Sequence, residues 1–147
     1  MMKKVGVFVL VLLVLGVGGF FYLGQQSQSG AAPGLVDGQL SPCPSSPNCV
    51  TSEVHSTAEQ RVETFDLSSW VKLPTVVNDL GGMVTKAEGT YMAAEFTSER
   101  FKFVDDLEFR LASDTVHVRS ASRVGYSDRG VNSARVAAIR EMLAKTQ

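Results

Sequence analysis

The sequence predicts an α+β domain, a four-stranded antiparallel sheet with two helices on one face, preceded by a single N-terminal transmembrane helix. Three observations predict it: an apolar run without a charge from Val5 to Leu23, four consecutive segments between Met83 and Ser122 that alternate with period two, and helical spacing on either side of them. Each amphipathic element needs an apolar partner, and helices packed on one sheet face supply it most simply. The 147 residues divide into an anchor (1–23), a flexible linker (24–39) and one soluble domain (40–147).

As a helix, the 19 residues from Val5 to Leu23 would cover about 28 Å, the thickness of a bilayer's hydrocarbon core. Lys3 and Lys4 precede the run and the next basic residue is Arg61, so the positive-inside rule places the N-terminus in the cytoplasm and the domain outside. Phe20, Phe21 and Tyr22 then fall near the far interface. A cleaved signal peptide is the alternative, with Ser29 and Ala31 as small residues at the right offsets, leaving a secreted or periplasmic domain. The run exceeds the usual length of a signal's apolar region, which favours retention.

The segment 24–38 is too polar and glycine-rich to bury a core and reads as a spacer. Three prolines around Cys43 and Cys49 imply a rigid, irregular loop. Its two cysteines suit a disulfide in an oxidising compartment; free thiols or half of a metal site are the alternatives. Apolar residues between Leu67 and Leu80 fit a helix with Pro74 near a start and Gly81-Gly82 as its stop. Met83–Ala87, Tyr91–Thr97, Phe101–Leu111 and Thr115–Ser122 read as strands joined by short turns, an antiparallel meander. Val131 to Lys145 returns to helical spacing, with Asn132 or Ser133 as caps and Arg135, Arg140 and Lys145 on or near the polar side.

Beyond the apolar run there are 12 basic and 15 acidic residues, a net of −3, with no basic tract, so nucleic acid is not an expected partner. Neither a phosphate-cradling loop nor a dinucleotide fingerprint is present, and His55 and His117 are too isolated to name as bases. No cofactor or metal is expected.

The densest polar stretch is Arg119-Ser-Ala-Ser-Arg-Val-Gly-Tyr-Ser-Asp-Arg-Gly-Val-Asn132, at a strand-to-helix junction where ligand sites concentrate. With Cys43-Pro-Ser-Ser-Pro-Asn-Cys49 and Phe103-Val-Asp-Asp-Leu-Glu-Phe109, it resembles the domain of unknown function 1499 family over about Pro42 to Leu143. The resemblance implies a membrane-associated or extracytoplasmic domain and brings no assigned catalytic residues.

Alternation puts Phe101, Phe103, Leu107, Phe109 and Leu111 on the core face, with Asp105 awkwardly among them, and Asp106 and Glu108 on the other. Val116, Val118, Ser120 and Ser122 share one face of the next strand; His117, Arg119 and Arg123 share the opposite one. Asp106 and Glu108 can therefore meet Arg119 and Arg123 across the sheet. One reading is ion pairs on a solvated face; the other is an anion-binding surface of Arg119 and Arg123 with Ser120, Ser122 and nearby backbone amides. Asp105, Asp106, Tyr126, Ser127, Asp128 and Asn132 complete the candidate ligand set, although Gly125–Gly130 also suits a plain turn in which Asp128 accepts amide hydrogen bonds. The expected function is a membrane-anchored accessory or binding module for a protein partner or small anionic ligand. A hydrolase or transferase using Asp105, Asp106 or Asp128 is the alternative, and a redox role for the cysteines a third.

Overall fold

A computed structural model describes residues 2–146. Helix α1 spans Met2–Gln28, and its stretch from Val5 onward is long and apolar enough to cross a membrane, with a mean hydropathy of 2.5. A membrane anchor and a signal sequence both meet that description. Its large side chains from Val5 to Tyr22 are exposed.

The helix runs five residues past Leu23, into the segment expected as a spacer, and a short hairpin follows it. Strands β1 (Leu35–Val36) and β2 (Gln39–Leu40) form a hairpin about Asp37 and Gly38, both with positive φ. An Asp-Gly pair is suited to that turn because its twist matches the flanking strands.

The main sheet has six strands where four were expected. The meander itself is present: β5 (Met83–Glu88), β6 (Tyr91–Thr97), β7 (Val104–Leu111) and β8 (Thr115–Ser122) pair antiparallel in sequence order. On the far edge of β8 lie β3 (Cys49–Thr51), paired at residues 119–121, and β4 (Phe65–Asp66), paired at residues 115–116. Strands of three and two residues are too short to show an alternation that sequence could reveal.

Helices α2 (Leu73–Asp79) and α3 (Val131–Lys145) cover one face. Leu73, Val76 and Val77 from α2 and Val136, Ile139 and Leu143 from α3 pack on Met92, Leu107, Phe109, Val116 and Val118. The first part of the expected helix is a separate 3₁₀ turn, Leu67–Ser69, because Pro74 has no N–H to give and is accommodated only in the first turn of α2.

Strand β7 begins at Val104, so Phe101 and Phe103 leave the core face they were expected to occupy. They lie in the loop after β6 and stack against α1: Phe101 sits 5.3 Å from Phe20 and 5.2 Å from Phe21, ring centre to ring centre. Phe103 meets Phe20 edge-on at 6.3 Å. The loop closes on itself through Ser98, whose N–H and Oγ both bond Phe103.

Candidate functional site

The three polar motifs converge where β7, β8, the disulfide loop and the start of α3 meet. Cys43 and Cys49 are bridged, with Cα atoms 5.6 Å apart, which removes both thiols from a metal or free-thiol role. Asn48, buried in that loop, donates to the carbonyls of Ser122 and Gly125. Its own carbonyl accepts from Asn132 Nδ2, which also reaches Ser122 Oγ. Ser120 Oγ donates to Asn132 Oδ1 at 2.6 Å.

Asn132 is therefore not the cap of α3 but a fully buried residue of its first turn, turned onto β8. Capping falls to Asp128, whose carboxylate accepts the N–H of Asn132 at 2.7 Å and of Gly130 at 3.0 Å. Gly130 takes φ of 82°, a conformation glycine adopts without strain, and this lets the chain turn so sharply onto its cap. Burial works against the charge of Asp128, but the amides of Asn132 and Gly130 outweigh it and hold the carboxyl below the ordinary carboxylate range.

Arg135, expected near the polar side, turns inward. It pairs with Asp105 at 2.6 Å, donates to Ser120 and Asn132, and lies over the Phe96 ring at 4.5 Å. Asp105 on the apolar face was the signal for such a partner: a carboxylate there needs a cation from the element packed above it.

The opposite sheet face, expected to be solvated, is buried under the chain from Gly30 to Ser41. Four carboxylate–guanidinium pairs cross it. Glu108, fully buried, accepts Arg119 Nη1 at 2.8 Å, the Tyr91 hydroxyl at 2.7 Å and the Gly34 N–H at 2.9 Å. Asp106 binds Arg123 through both oxygens, at 2.9 and 2.7 Å, and Arg123 also reaches Glu95 and the Ser27 carbonyl. Glu53, 1% exposed, accepts two bonds from Arg110 and one from the Leu40 N–H, with His117 at 3.5 Å.

The pairings of Asp106 and Glu108 with Arg123 and Arg119 match the cross-strand expectation. Their burial changes their chemistry. Arg119 and Arg123 have side chains only 8% and 7% exposed and are paired with internal carboxylates, and Arg119 Nε is buried without a hydrogen-bond partner, so neither guanidinium faces outward as an anion receptor. The hydrogen bonds Arg123 donates to Asp106 lead in holding it charged, well above its ordinary value, against the opposing effect of burial. Burial, then the bond to Glu108, pushes the Tyr91 hydroxyl far up. In Glu53 burial opposes the charge, yet Arg110, the Leu40 N–H and the field of His117 together leave the carboxyl below its usual range.

Of the candidates, Tyr126, Ser127 and the edge of Asp128 reach solvent, on a ridge from Gly125 to Gly130 that separates two clefts. One, of about 510 Å³, lies between the ridge and the disulfide loop, with Pro44, Pro47, Gln60 and Tyr126 in its walls. The other, of about 290 Å³, lies between the ridge and α1, and gathers Asp105, Ser122, Ser127 and Asp128 with Phe20, Leu23 and Phe103. Arg129, beside them with φ of 55°, lines this second cleft.

The end of α1 is built into the domain at this cleft. Ser27 is 1% exposed: its Oγ accepts the Val104 N–H at 3.0 Å and donates to the Gly24 carbonyl at 2.7 Å, and its carbonyl accepts from Arg123. Gly24 packs so closely that a Cβ there would sit 1.7 Å from the Phe101 carbonyl oxygen. Glu53, Tyr91, Glu95, Arg110 and Arg135 escaped the sequence reading because their partners lie far along the chain.

A family model described as Protein of unknown function (DUF1499) matches residues 39–143. No curated protein and no solved structure matches the chain.

Two outcomes follow. Arg119→Met leaves Glu108 buried and uncompensated and is expected to destabilise by about 3–5 kcal/mol, whereas adding Glu108→Leu restores most of that loss; equal destabilisation by single and double variants in chemical unfolding would refute the pairing. Because the Glu53 and Asp128 carboxyls are depressed, their stabilisation is complete above the ordinary values of 4.5 and 3.8 and is lost as pH falls through the folded-state values. The thermal midpoint should therefore drop below about pH 4.5, less steeply in Glu53→Gln; an unchanged acid slope in that variant would contradict the assignment.

Proposed function

The chain belongs to the family of proteins of unknown function (DUF1499), and we propose that it acts as a membrane-anchored, extracytoplasmic binding domain, held in a fixed posture on the bilayer. The observation that carries this reading is the burial of Ser27, which joins α1 to β7 and Arg123. A leader removed at Ser29-x-Ala31 would take Ser27 with it, along with the acceptor of Arg123, so the fold favours a retained helix. Lys3 and Lys4 before the apolar run, and the disulfide after it, support a cytoplasmic N-terminus and a domain in an oxidising compartment.

Binding rather than catalysis is supported by how the acid–base candidates are used. Asp105 is neutralised by Arg135, Asp106 by Arg123, and Asp128 is occupied by backbone amides. The Asp128 carboxylate, held below its usual range, is a weak proton acceptor. What the domain presents is the ridge of Tyr126, Ser127 and Arg129, with a cleft on each side. Tyr126 is 78% exposed and offers an aromatic surface, while the Arg129 guanidinium supplies the positive charge an anionic ligand requires.

A C-terminal phosphatase fusion that is active only outside the cytoplasm, combined with the intact mass of the membrane-bound chain, tests this reading. Active phosphatase on an uncleaved chain is expected; an inactive fusion, or a chain beginning after Ala31, would overturn it. Posture is tested separately by limited proteolysis in nanodiscs. Gly24→Val forces α1 off Phe101 and is expected to speed cutting within residues 24–38 at least several-fold. Equal rates for variant and wild type would mean the junction is loose already.

A further inference from the structure

The cleft between the ridge and α1 is half built from the membrane helix itself. Phe20 and Leu23 form one wall and Phe103, Val124 and Val131 the other. The wall residues on α1 close the apolar run that begins at Val5, so a helix placed with that run in the hydrocarbon layer sets the cleft at the bilayer interface. Phe101 and Phe103, stacked on Phe20, then occupy the depth where aromatic side chains gather. Val131 and Phe20 are about half exposed and Leu23 is 38% exposed, an apolar surface open on the side that adjoins lipid.

Resting on the anchored posture proposed above, we infer that this cleft holds an acyl chain of an anionic phospholipid from the adjoining leaflet, with the phosphate on Arg129 and the Ser127 hydroxyl. Three features identify the occupant. At about 290 Å³ the cleft lies at the small end of ligand sites, enough for a length of one chain and too little for a folded peptide. Its apolar wall is continuous with a helix already in lipid, so a chain can enter sideways without crossing water. Arg129 lies within it; Asp105 is neutralised by Arg135, and the Asp128 carboxylate is turned onto the amides of Gly130 and Asn132.

The test uses the full chain in phosphatidylcholine nanodiscs carrying phosphatidylglycerol with a diazirine on its acyl chain. Photolysis is expected to label residues 103–104 and 124–131 as well as α1. Val131→Trp fills the cleft and should remove the label from 124–131 while leaving that on α1. Arg129→Ala should lower the excess of phosphatidylglycerol over phosphatidylcholine labelling about tenfold, the loss of one charge-assisted hydrogen bond. Label confined to α1, identical label in Val131→Trp, or displacement by oleate added from water with no labelling from the bilayer would each overturn the inference. The phosphatase fusion is indifferent to the cleft, so a correct topology with an empty cleft rejects the lipid site and spares the anchored reading.

Discussion

Burying charge on the sheet face away from the helices constrains everything around it. Glu108 and Glu53 have almost no solvent contact, and ions removed from water are tolerated only when they are paired and their remaining lone pairs are met. Arg119, Arg110 and Arg123 supply the charges, but the lone pairs are completed from the segment that leads into the main sheet, by the amides of Gly34 and Leu40. That segment is held by the ions it covers. Leu40 and Ala32 add a small apolar patch on Tyr91 and Ala93, too small to fix its path alone.

The same constraint orients α1. Arg123 satisfies Asp106 and Glu95 through Nε and Nη2, and its remaining nitrogen, Nη1, donates to the Ser27 carbonyl. With Ser27 also completing the backbone of Val104 at the start of β7, the helix leaves the domain from the sheet itself and not through a loose tether. A sheet face that looks like an ion-pair surface is, in this chain, the seat of the apolar helix α1.

What could be read from the sequence depended on periodicity. The apolar run, the meander from Met83 to Ser122 and the last helix all persist long enough to show their period, and all are present. Strands β3 and β4 are too short for that, and Phe101 and Phe103 fit the alternation of β7 while belonging to a loop that serves α1. The cover over the charged face was hidden for a different reason: a polar, glycine-rich segment that donates backbone amides carries no hydrophobic signal. Within the candidate site, Arg119 and Arg123 were correctly matched to Glu108 and Asp106, but a pairing read along strands says nothing about what lies on top. Asp105 was the residue whose oddity carried structural information, since its place among apolar neighbours required the cation that α3 provides as Arg135.

These links give the two clefts different standing. The one beside the disulfide loop is walled entirely by the soluble domain and would survive loss of α1. The other exists only while Phe20 and Leu23 stand against Val124 and Val131, which requires Ser27 to be seated, which in turn requires Arg123 to be held by Asp106. A cleft assembled this way cannot form in a domain separated from α1. The close approach at Gly24 leaves no room for a side chain between the helix and the Phe101 carbonyl, and tilting away would break the Ser27 bonds. The junction at Ser27 and Gly24 is what makes the end of α1 part of a cleft wall.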